Sequence, residues 1–292
     1  MVSVLVLVAA DAQVLPAAQD RVADSLGGGV WTRLGPAAAE AVIDIPNLAA
    51  LKQMLDARLG DLPIDHALSA DSPDRRKRLL LADMDSTIIG CECLDELADF
   101  AGVKAEVSAI TERAMRGEIG FEGALRERVA MLKGLPAGDL QRCFDERVRL
   151  NPGARTLVTT MAAHGARCVL VSGGFDFFTS RVAALAGFHI DRANHLIEAK
   201  ERLTGQVREP ILGREAKLAA LREETAALGL AISDSLAIGD GANDLAMIEA
   251  AGLGVAYRAK PVVAAQADAR VDHADLTALL YFQGYRAEEF KT

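Results

Sequence analysis

The stretch LLLADMDSTII, residues 79–89, decides the fold of the chain. Its first four residues form a short apolar run, which predicts a buried β-strand over residues 79–82. Asp83 and Asp85 follow this run directly, and alternate residues of an extended segment can project toward one shared site. One such carboxylate can act as a nucleophile while the other handles a proton. The D-x-D spacing alone is also typical of metal sites, turns and helix caps, so other residues must decide between these alternatives.

The same organisation recurs further along the chain. Short apolar runs over residues 168–171, 236–238 and 254–256 each end in a polar or glycine-rich turn, and helical stretches separate them. This pattern is typical of buried parallel strands joined by crossover helices, so we predict an α/β fold with a Rossmann-like parallel sheet. Ligands of such sheets bind at the carboxyl ends of the strands, where the chemically interesting residues of this chain fall.

A long insert, residues 90–151, separates the first predicted strand from the second. It has a helical pattern with breaks near residues 117–120 and 134–138, and it is too long to be a simple crossover. We predict that it forms a small helical cap over the site, within a domain of residues 79–292. A charged turn between two alternating runs over residues 195–207 predicts a β-hairpin attached to this domain.

Residues 1–70 are predicted to form a separate small domain. Its elements follow the order βαββαβ, which suggests an α/β sandwich. The predicted strands are at residues 2–8, 30–34, 41–45 and 64–68. The first predicted helix is at residues 12–26 and ends at a glycine break at 27–29. The second predicted helix is capped by Asn47 and continues to about residue 59. The polar and charged residues 71–78 are typical of a linker.

Composition narrows the class of protein. The chain has 292 residues, of which 51% are apolar and 25% charged, which is ordinary for a globular protein. The net charge of −9 argues against a nucleic-acid-binding surface. The four cysteines show no zinc-like spacing, so we predict reduced thiols in a cytoplasmic protein. The apolar N-terminal run is too short to span a bilayer, and no Lys or Arg precedes it, so we expect no targeting or membrane segment.

Two further motifs follow predicted strands. In VLVSGGF, residues 169–175, Ser172 ends a strand and the glycines let backbone N–H groups approach an oxyanion, although a capped turn is the simpler interpretation. In IGDGAND, Asp240 can bind a hard cation such as Mg²⁺. Asn243 and Asp244 of the same motif can contact substrate or orient the waters of the metal, or one of them can simply cap the next helix.

Lys217 lies near the start of a predicted helix that leads toward the Asp240 strand. A phosphate site in an acidic protein requires a fixed cation, and Lys217 is the candidate for that role. A solvated surface lysine is the alternative, because helices commonly carry such residues. The sequence leaves both interpretations open.

Together, the order and strand-end placement of these motifs resemble the haloacid dehalogenase-like superfamily of phosphatases, over roughly residues 78–291. The combination of DMDST followed by Glu92, SGGF and GDGAND is similar to the phosphoserine phosphatase family within it. The N-terminal domain resembles the ACT-like domain of longer bacterial members. The resemblance implies a Mg²⁺-dependent phosphatase that hydrolyses a small molecule, O-phospho-L-serine, to L-serine and phosphate, which is the last step of serine biosynthesis.

The resemblance also implies a role for each matching residue. Asp83 would form an aspartyl-phosphate, and Asp85 would protonate the departing oxygen and then activate water. Mg²⁺ would be held by the side chains of Asp83 and Asp240 and by the backbone carbonyl of Asp85, with Asp244 behind these ligands. The phosphoryl oxygens would be held by Ser172, Gly173 and Lys217.

Substrate selection by the cap follows from the same resemblance. Glu92 would face the ammonium group of the substrate, and Arg128 would bind its carboxylate, which suits the planar guanidinium. Arg126 is a near neighbour that could be confused with Arg128, and these charges could also simply be solvated on a helix. Met115 and Phe121 would wall the pocket, with ordinary packing inside the cap as the alternative, and Asn243 would complete substrate binding.

Alternatives remain open from the sequence. A protein of the same fold could dephosphorylate another small phosphomonoester, such as phosphohomoserine, or transfer the phosphoryl group to an acceptor. The N-terminal domain could also bind an amino acid between paired subunits of a homodimer, or merely dimerise. Asp65 and His66 are adjacent on its last predicted strand, so we expect their side chains to point to opposite faces and to form no common site.

Overall fold

The computed structural model describes residues 2–26, 30–45, 47–115 and 118–292, except for the side chains of Met115 and Arg214. The first part contains β1 (Ser3–Ala9), α1 (Leu15–Ala23), β2 (Trp31–Gly35), β3 (Ala38–Ile43), α2 (Leu48–Leu59) and β4 (Ile64–Ala70). The strands form one antiparallel sheet in the order β2-β3-β1-β4. This confirms the predicted βαββαβ order. The predicted glycine break at 27–29 lies outside the described residues, and the likeness to an ACT domain stays a prediction.

The limits of α1 and β3 differ from the predicted ones, and the local sequence explains the differences. Helix α1 starts later than predicted, because Pro16 favours the first turn of a helix. Strand β3 starts earlier than predicted, at Ala38, which pairs with Val8 of β1. Alanine has a weak strand propensity, so the sequence pattern contained no signal for this part of β3. Asn47 caps α2 as predicted, since its side chain accepts a hydrogen bond from the Ala50 N–H at 3.0 Å.

The described residues after position 78 form a larger α/β unit. Its strands are β5 (Leu79–Ala82), β6 (Arg167–Phe175), β7 (Ile190–Asn194), β8 (Leu196–Ala199), β9 (Arg202–Val207), β10 (Ser235–Gly239), β11 (Leu253–Tyr257) and β12 (Ala269–Val271). Its helices are α3 (Cys93–Phe100), α4 (Lys104–Met115), α5 (Phe121–Met131), α6 (Gly138–Arg147), α7 (Ala154–Ala163), α8 (Asp176–Ala186), α9 (Arg214–Ala227), α10 (Leu245–Ala250), α11 (Pro261–Ala264) and α12 (Ala278–Phe282).

A parallel six-stranded sheet in the order β12-β11-β10-β5-β6-β7 lies at the centre of this unit. The predicted α/β class is therefore confirmed, and β5 has the limits predicted from the apolar run. The two edge strands, β7 and β12, were not predicted. Strand β7 has the mixed sequence IDRAN and β12 has three residues, so neither shows the continuous apolar run of a central strand.

Helices α3 to α6 form the insert between β5 and β6. The chain leaves and re-enters the α/β unit through an antiparallel bridge between Ile89 and Leu150. Strands β8 and β9 pair as the predicted antiparallel hairpin. This hairpin packs on the insert, where the Gly134 N–H donates to the Leu203 carbonyl at 2.9 Å. Among the described residues, no helix has both the length and the apolar character needed to cross a membrane.

Both faces of the N-terminal sheet are covered. Leu5 and Leu7 pack with α1 and α2. Val4 and Val6, on the opposite face, belong to the same apolar core as Leu280 of α12. The two sheets therefore share a continuous buried interface rather than being joined by the chain alone.

Polar contacts reinforce this interface. Asp65 of β4 accepts hydrogen bonds from the backbone N–H groups of Asp272, at 2.8 Å, and Ala274, at 2.7 Å. Arg75, within the predicted linker, donates to Glu40 Oε2 at 2.8 Å and to the Phe282 carbonyl at 3.3 Å. The segment between the sheets is thus packed against its neighbours over part of its length.

Candidate active site

Three neighbouring strands bring the predicted site residues together. Strand β5 lies between β10 and β6, and all three are parallel, so their carboxyl ends meet at one edge of the sheet. Asp83 follows β5, Asp240 follows β10, and Ser172 lies near the end of β6. The Asp83 N–H donates to the Ile238 carbonyl at 3.0 Å, which continues the β5–β10 ladder into the site.

Lys217, on α9, is buried between two carboxylates. Its Nζ atom lies 2.5 Å from Asp83 Oδ1 and 2.5 Å from Asp244 Oδ1, and 3% of the lysine is exposed. Burial lowers the pKa of Lys217, but Asp244 and Asp83 outweigh this effect and raise that pKa above its ordinary value. Burial and then the charge of Asp244 raise the pKa of Asp83 well above its ordinary value, against the effect of Lys217. The interpretation of Lys217 as a solvated surface lysine is therefore wrong.

Asp85 lies beside this group with both carboxylate oxygens engaged. Its Oδ1 accepts a hydrogen bond from the Cys93 N–H at 3.0 Å, and the Ser172 hydroxyl donates to its Oδ2 at 3.3 Å. Burial, and then the charge of Glu92, raise the pKa of Asp85 to about 7. A carboxyl group with such a pKa can both give and take a proton near neutral pH.

Asp83, Asp240 and Asp244 offer carboxylate oxygens that lie within 4.8 Å of one another. Asp244 already uses one oxygen on Lys217 Nζ and the other on the Gly241 N–H, at 3.0 Å. Burial and then the charge of Asp244 raise the pKa of Asp240 to about 6. Asp83 and Asp240 therefore remain as a pair of oxygen donors in a site with excess negative charge. Hard divalent cations prefer this donor chemistry, so the residues fit such an ion.

Residues 172–174, near the end of β6, form a loop where the register of the ladder shifts, and this loop passes close to the carboxylates. A Cβ atom on Gly174 would lie 2.9 Å from Asp85 Oδ2, so a larger residue would displace the carboxylate. Phe121, the first residue of α5, lies over the same loop, because a Cβ atom on Gly173 would lie 3.1 Å from Phe121 Cζ. The insert therefore covers this end of the sheet, as a cap does.

Two charged residues of the cap have fixed surroundings. Glu92 Oε1 accepts a hydrogen bond from the Ser86 hydroxyl at 2.6 Å, and Ser86 has a left-handed backbone with φ of +55°. Arg128 is half-buried and donates to the Thr111 hydroxyl at 3.3 Å and to the Ala124 carbonyl at 3.2 Å. Burial lowers the pKa of the Arg128 guanidinium, while nearby carboxylates, including Glu92, oppose this effect.

Arg126, the possible alternative to Arg128, has a different environment. It is exposed and forms ion pairs with Glu209, at 2.8 Å, and with Glu122, at 3.3 Å. The guanidinium of Arg126 is thus paired with carboxylates at the surface, whereas the guanidinium of Arg128 donates to a hydroxyl and a carbonyl. Of the two arginines, Arg128 is thus the more buried one. The side chain of Met115, a predicted wall of the pocket, lies outside the described residues.

The GDGAND turn does not serve as a simple helix cap. Asp244 occupies the N-cap position of α10, but its side chain makes no capping hydrogen bond and points instead to Lys217. Asn243 is half-buried and folds back over the turn, since a Cβ atom on Gly241 would lie 2.3 Å from Asn243 Oδ1. The alternative in which Asp244 caps the helix with its side chain is wrong.

Sequence reasoning missed two residues at this site. The Thr87 hydroxyl donates to Asp240 Oδ1 at 3.1 Å, and its place in DMDST next to the paired carboxylates could have indicated a role. Asn194, the last residue of β7, donates to the Gly173 carbonyl at 2.9 Å. The sequence contained no comparable signal for Asn194, because β7 itself was not predicted.

The chain belongs to the haloacid dehalogenase-like hydrolase family, whose family model matches residues 80–249. It is 46% identical over 200 residues to a phosphoserine phosphatase of Streptococcus thermophilus, an alignment that covers 68% of this chain and 93% of that protein. A phosphoserine phosphatase of Archaeoglobus fulgidus is 44% identical over 206 residues, and there the alignment covers 70% of this chain but 60% of the relative. A solved structure described as a phospho-aspartyl intermediate analogue of phosphoserine phosphatase is 37% identical with a TM-score of 0.66, and covers 71% of this chain and 99% of its own.

Proposed function

We propose that this protein is a Mg²⁺-dependent phosphoserine phosphatase, which hydrolyses O-phospho-L-serine to L-serine and phosphate. The observation that carries the proposal is the buried group at the strand ends, where Lys217 bonds Asp83 and Asp85 lies beside them. This group combines a carboxylate nucleophile, a carboxyl group with a pKa of about 7 and a fixed cation. The relatives described above are phosphoserine phosphatases by name, which supports the choice of substrate.

The proposed reaction has two steps. A carboxylate oxygen of Asp83 attacks the phosphorus atom, and the serine oxygen leaves with a proton from Asp85. Asp85 then takes a proton from a water molecule, whose oxygen attacks the phosphorus of the aspartyl-phosphate and releases inorganic phosphate. Asp83 is thereby regenerated as a carboxylate, and Asp85 regains its proton, so the enzyme returns to its starting state.

The metal ion would be held by the side chains of Asp83 and Asp240 and by the backbone carbonyl of Asp85. When bound, Mg²⁺ supplies positive charge that offsets the charge on the phosphoryl oxygens and on the nucleophile. Thr87 orients Asp240 through its hydroxyl, and Asp244 acts from behind these ligands because Lys217 and a backbone N–H already use its oxygens.

The remaining charge on the phosphoryl group requires protein donors. Lys217, the Ser172 hydroxyl and the backbone N–H of Gly173 are proposed to bind the phosphoryl oxygens. Phosphoryl transfer depends mainly on positioning and charge neutralisation, so rigid donors matter more than flexible ones. The burial of Lys217 and the glycine loop beside Asp85 support this assignment.

Glu92 is proposed to bind the substrate ammonium group, Arg128 its carboxylate, and Asn243 to complete the site. The alternative use of the same centre is hydrolysis of another small phosphomonoester, such as phosphohomoserine, or transfer of the phosphoryl group to an acceptor alcohol. Rates of phosphate release from a panel of phosphomonoesters, with and without acceptor alcohols such as homoserine, test the choice. Phosphoserine is expected to have the highest kcat/KM, and a higher value for phosphohomoserine would favour the alternative.

Other features of the proposal concern the whole protein. The four cysteines are free thiols, which suits the reducing cytoplasm, where serine biosynthesis would use this enzyme in its last step. Residues 1–70 are proposed to be an ACT-like domain that binds an amino acid or pairs two copies of the chain.

Replacement of Arg128 by alanine is expected to lower kcat/KM for phosphoserine by about 100-fold or more, because a desolvated, charge-assisted contact to the carboxylate is lost. Replacement of Arg126 by alanine is the matched control, since its exposed ion pairs contribute little. Steady-state kinetics on phosphoserine and on phosphoethanolamine, which lacks the carboxylate, separate the two variants. Arg128→Ala should lower kcat/KM far more for phosphoserine than for phosphoethanolamine. Equal losses of kcat/KM for the two substrates would contradict the assigned role.

A further inference from the structure

Asn194 is a buried amide whose hydrogen bonds all go to backbone groups near the phosphoryl site. It ends β7, and 3% of it is exposed. Its Nδ2 donates to the Gly173 carbonyl at 2.9 Å and to the Leu212 carbonyl at 3.3 Å. Its Oδ1 accepts a hydrogen bond from the Leu212 N–H at 2.7 Å. One side chain therefore joins two segments that lie far apart in the sequence.

The first segment needs such a partner because the sheet does not supply one. Val171 of β6 pairs with Arg192, and the next paired position joins Phe175 with Asn194, so the register shifts between them. The residues between Val171 and Phe175 bulge out of the ladder and form the loop that would bind phosphate. Gly173 is half-buried in this loop, and Asn194 provides a hydrogen-bond donor for its carbonyl.

This contact also fixes the neighbouring side chain. The Gly173 carbonyl and the Gly174 N–H belong to one planar peptide and point in opposite directions. With the carbonyl held by Asn194, the N–H donates to Ser172 Oγ at 2.9 Å. The Ser172 hydroxyl in turn donates to Asp85.

The second segment leads directly into the helix that carries the buried cation. Leu212 lies just before α9, which begins at Arg214, and its N–H and carbonyl are both bonded by Asn194. Lys217 lies in the first turn of α9 and reaches Asp83 from there. The position of Leu212 therefore affects the position of Lys217 relative to the glycine loop.

We propose that Asn194 is a positioning residue for the phosphoryl site. It holds the glycine loop and the start of α9 at a fixed distance from each other. The inference rests on the proposed function, because it concerns the site for the phosphoryl group. Asn194 touches no reacting atom in this scheme. Its effect is to hold the Gly173 loop and Lys217 so that both reach the same anion, and small displacements of such groups cost large factors in rate.

Asn194→Asp is the sharpest test, because it keeps the shape and the acceptor but removes both donated hydrogen bonds. Gln283→Glu is its matched control. Gln283 is buried, with 1% exposed, donates to the Leu279 carbonyl at 2.9 Å and accepts from the Lys77 N–H at 2.9 Å. Both changes convert a buried amide that bonds to backbone into a carboxyl group, but Gln283 follows α12, in a different part of the fold.

The direct readout is the dissociation constant of inorganic phosphate for the Mg²⁺-loaded protein, measured by titration calorimetry. We expect Asn194→Asp to weaken phosphate binding at least tenfold and to lower kcat/KM by about 100-fold, whereas Gln283→Glu changes phosphate binding less than threefold. Asn194→Ser, a smaller neutral change, serves as the second variant if the aspartate prevents folding. Thermal unfolding of each variant verifies that the folded protein is titrated.

A folded Asn194 variant that binds phosphate as the native protein does would overturn the proposal, as would equal weakening in the Gln283 control. Phosphate binding does not depend on which phosphomonoester is hydrolysed. Native protein that binds phosphate but fails to hydrolyse phosphoserine would contradict the proposed substrate and leave the Asn194 comparison decisive.

Discussion

Asp83→Asn is expected to abolish phosphate release from phosphoserine and to leave a folded protein. Asparagine has nearly the same shape as aspartate but is a poor nucleophile, so the covalent step is lost. We expect kcat to fall by roughly 10⁴-fold or more, the scale associated with removal of a covalent nucleophile. Phosphate release measured with saturating Mg²⁺ and phosphoserine gives the result directly. Turnover within tenfold of the native rate would contradict a nucleophilic role for Asp83.

The same substitution is also expected to change how the stability of the fold depends on pH. Without metal, Lys217 is the cation beside two buried carboxylates, Asp83 and Asp244. Since the folded-state pKa of Asp83 is raised, its ionisation disfavours the folded state, and native stability falls as pH rises from the unfolded-state pKa toward the raised folded-state pKa. Asp83→Asn removes this dependence. As the pH is raised in EDTA, the free energy of unfolding of Asp83→Asn, measured by urea denaturation, should therefore fall less than that of the native protein.

Lys217→Met is expected to cause the largest loss of stability. The substitution leaves Asp83 and Asp244 buried without a cation, and breaking a buried ion pair in this way costs about 3–5 kcal/mol. Lys104→Met is the matched control, because Lys104 is exposed and lies 3.9 Å from Glu96 in a surface pair. Such a pair contributes up to about 1 kcal/mol. Urea unfolding of both variants in EDTA measures the difference.

A second substitution tests whether uncompensated charge is the cause. Asp244→Asn in the Lys217→Met background removes one of the two stranded carboxylates, so it should recover part of the lost stability. In the native background the same change deprives Lys217 of a partner and should destabilise. A double-mutant cycle measures this coupling. Additive effects of Lys217→Met and Asp244→Asn would show that the buried ion pair does not stabilise the fold.

The residues at the strand ends could be predicted because their signals are local. An apolar run followed by polar or glycine residues identifies a buried strand and its end, and this pattern correctly located β5, β6, β10 and β11. Parallel strands place their carboxyl ends together, so Asp83 and Asp240 could be assigned to one site before their geometry was known. The environment of Lys217 could not be assigned in this way, because helices commonly carry solvated lysines and the carboxylates around Lys217 come from outside its helix.

Features that depend on contacts distant in sequence escaped prediction. Strand β7 is short and polar, so the strand-end rule could not be applied to Asn194. The shared core of the two sheets arises because Val4 and Val6 alternate with Leu5 and Leu7, and both sets are apolar. Such a pattern indicates burial on both faces, but it does not identify α12 as the element that covers one of them.

The measurement that tests the central claim most directly is acid-quench trapping of the phosphorylated enzyme. Protein turning over O-phospho-L-serine with Mg²⁺ is quenched rapidly, digested and mapped by peptide mass spectrometry. We predict one added phosphoryl group on Asp83, absent when EDTA replaces Mg²⁺ and absent in Asp83→Asn. Turnover of phosphoserine with a phosphoryl group on another residue, or no turnover of phosphoserine under these conditions, would contradict the account.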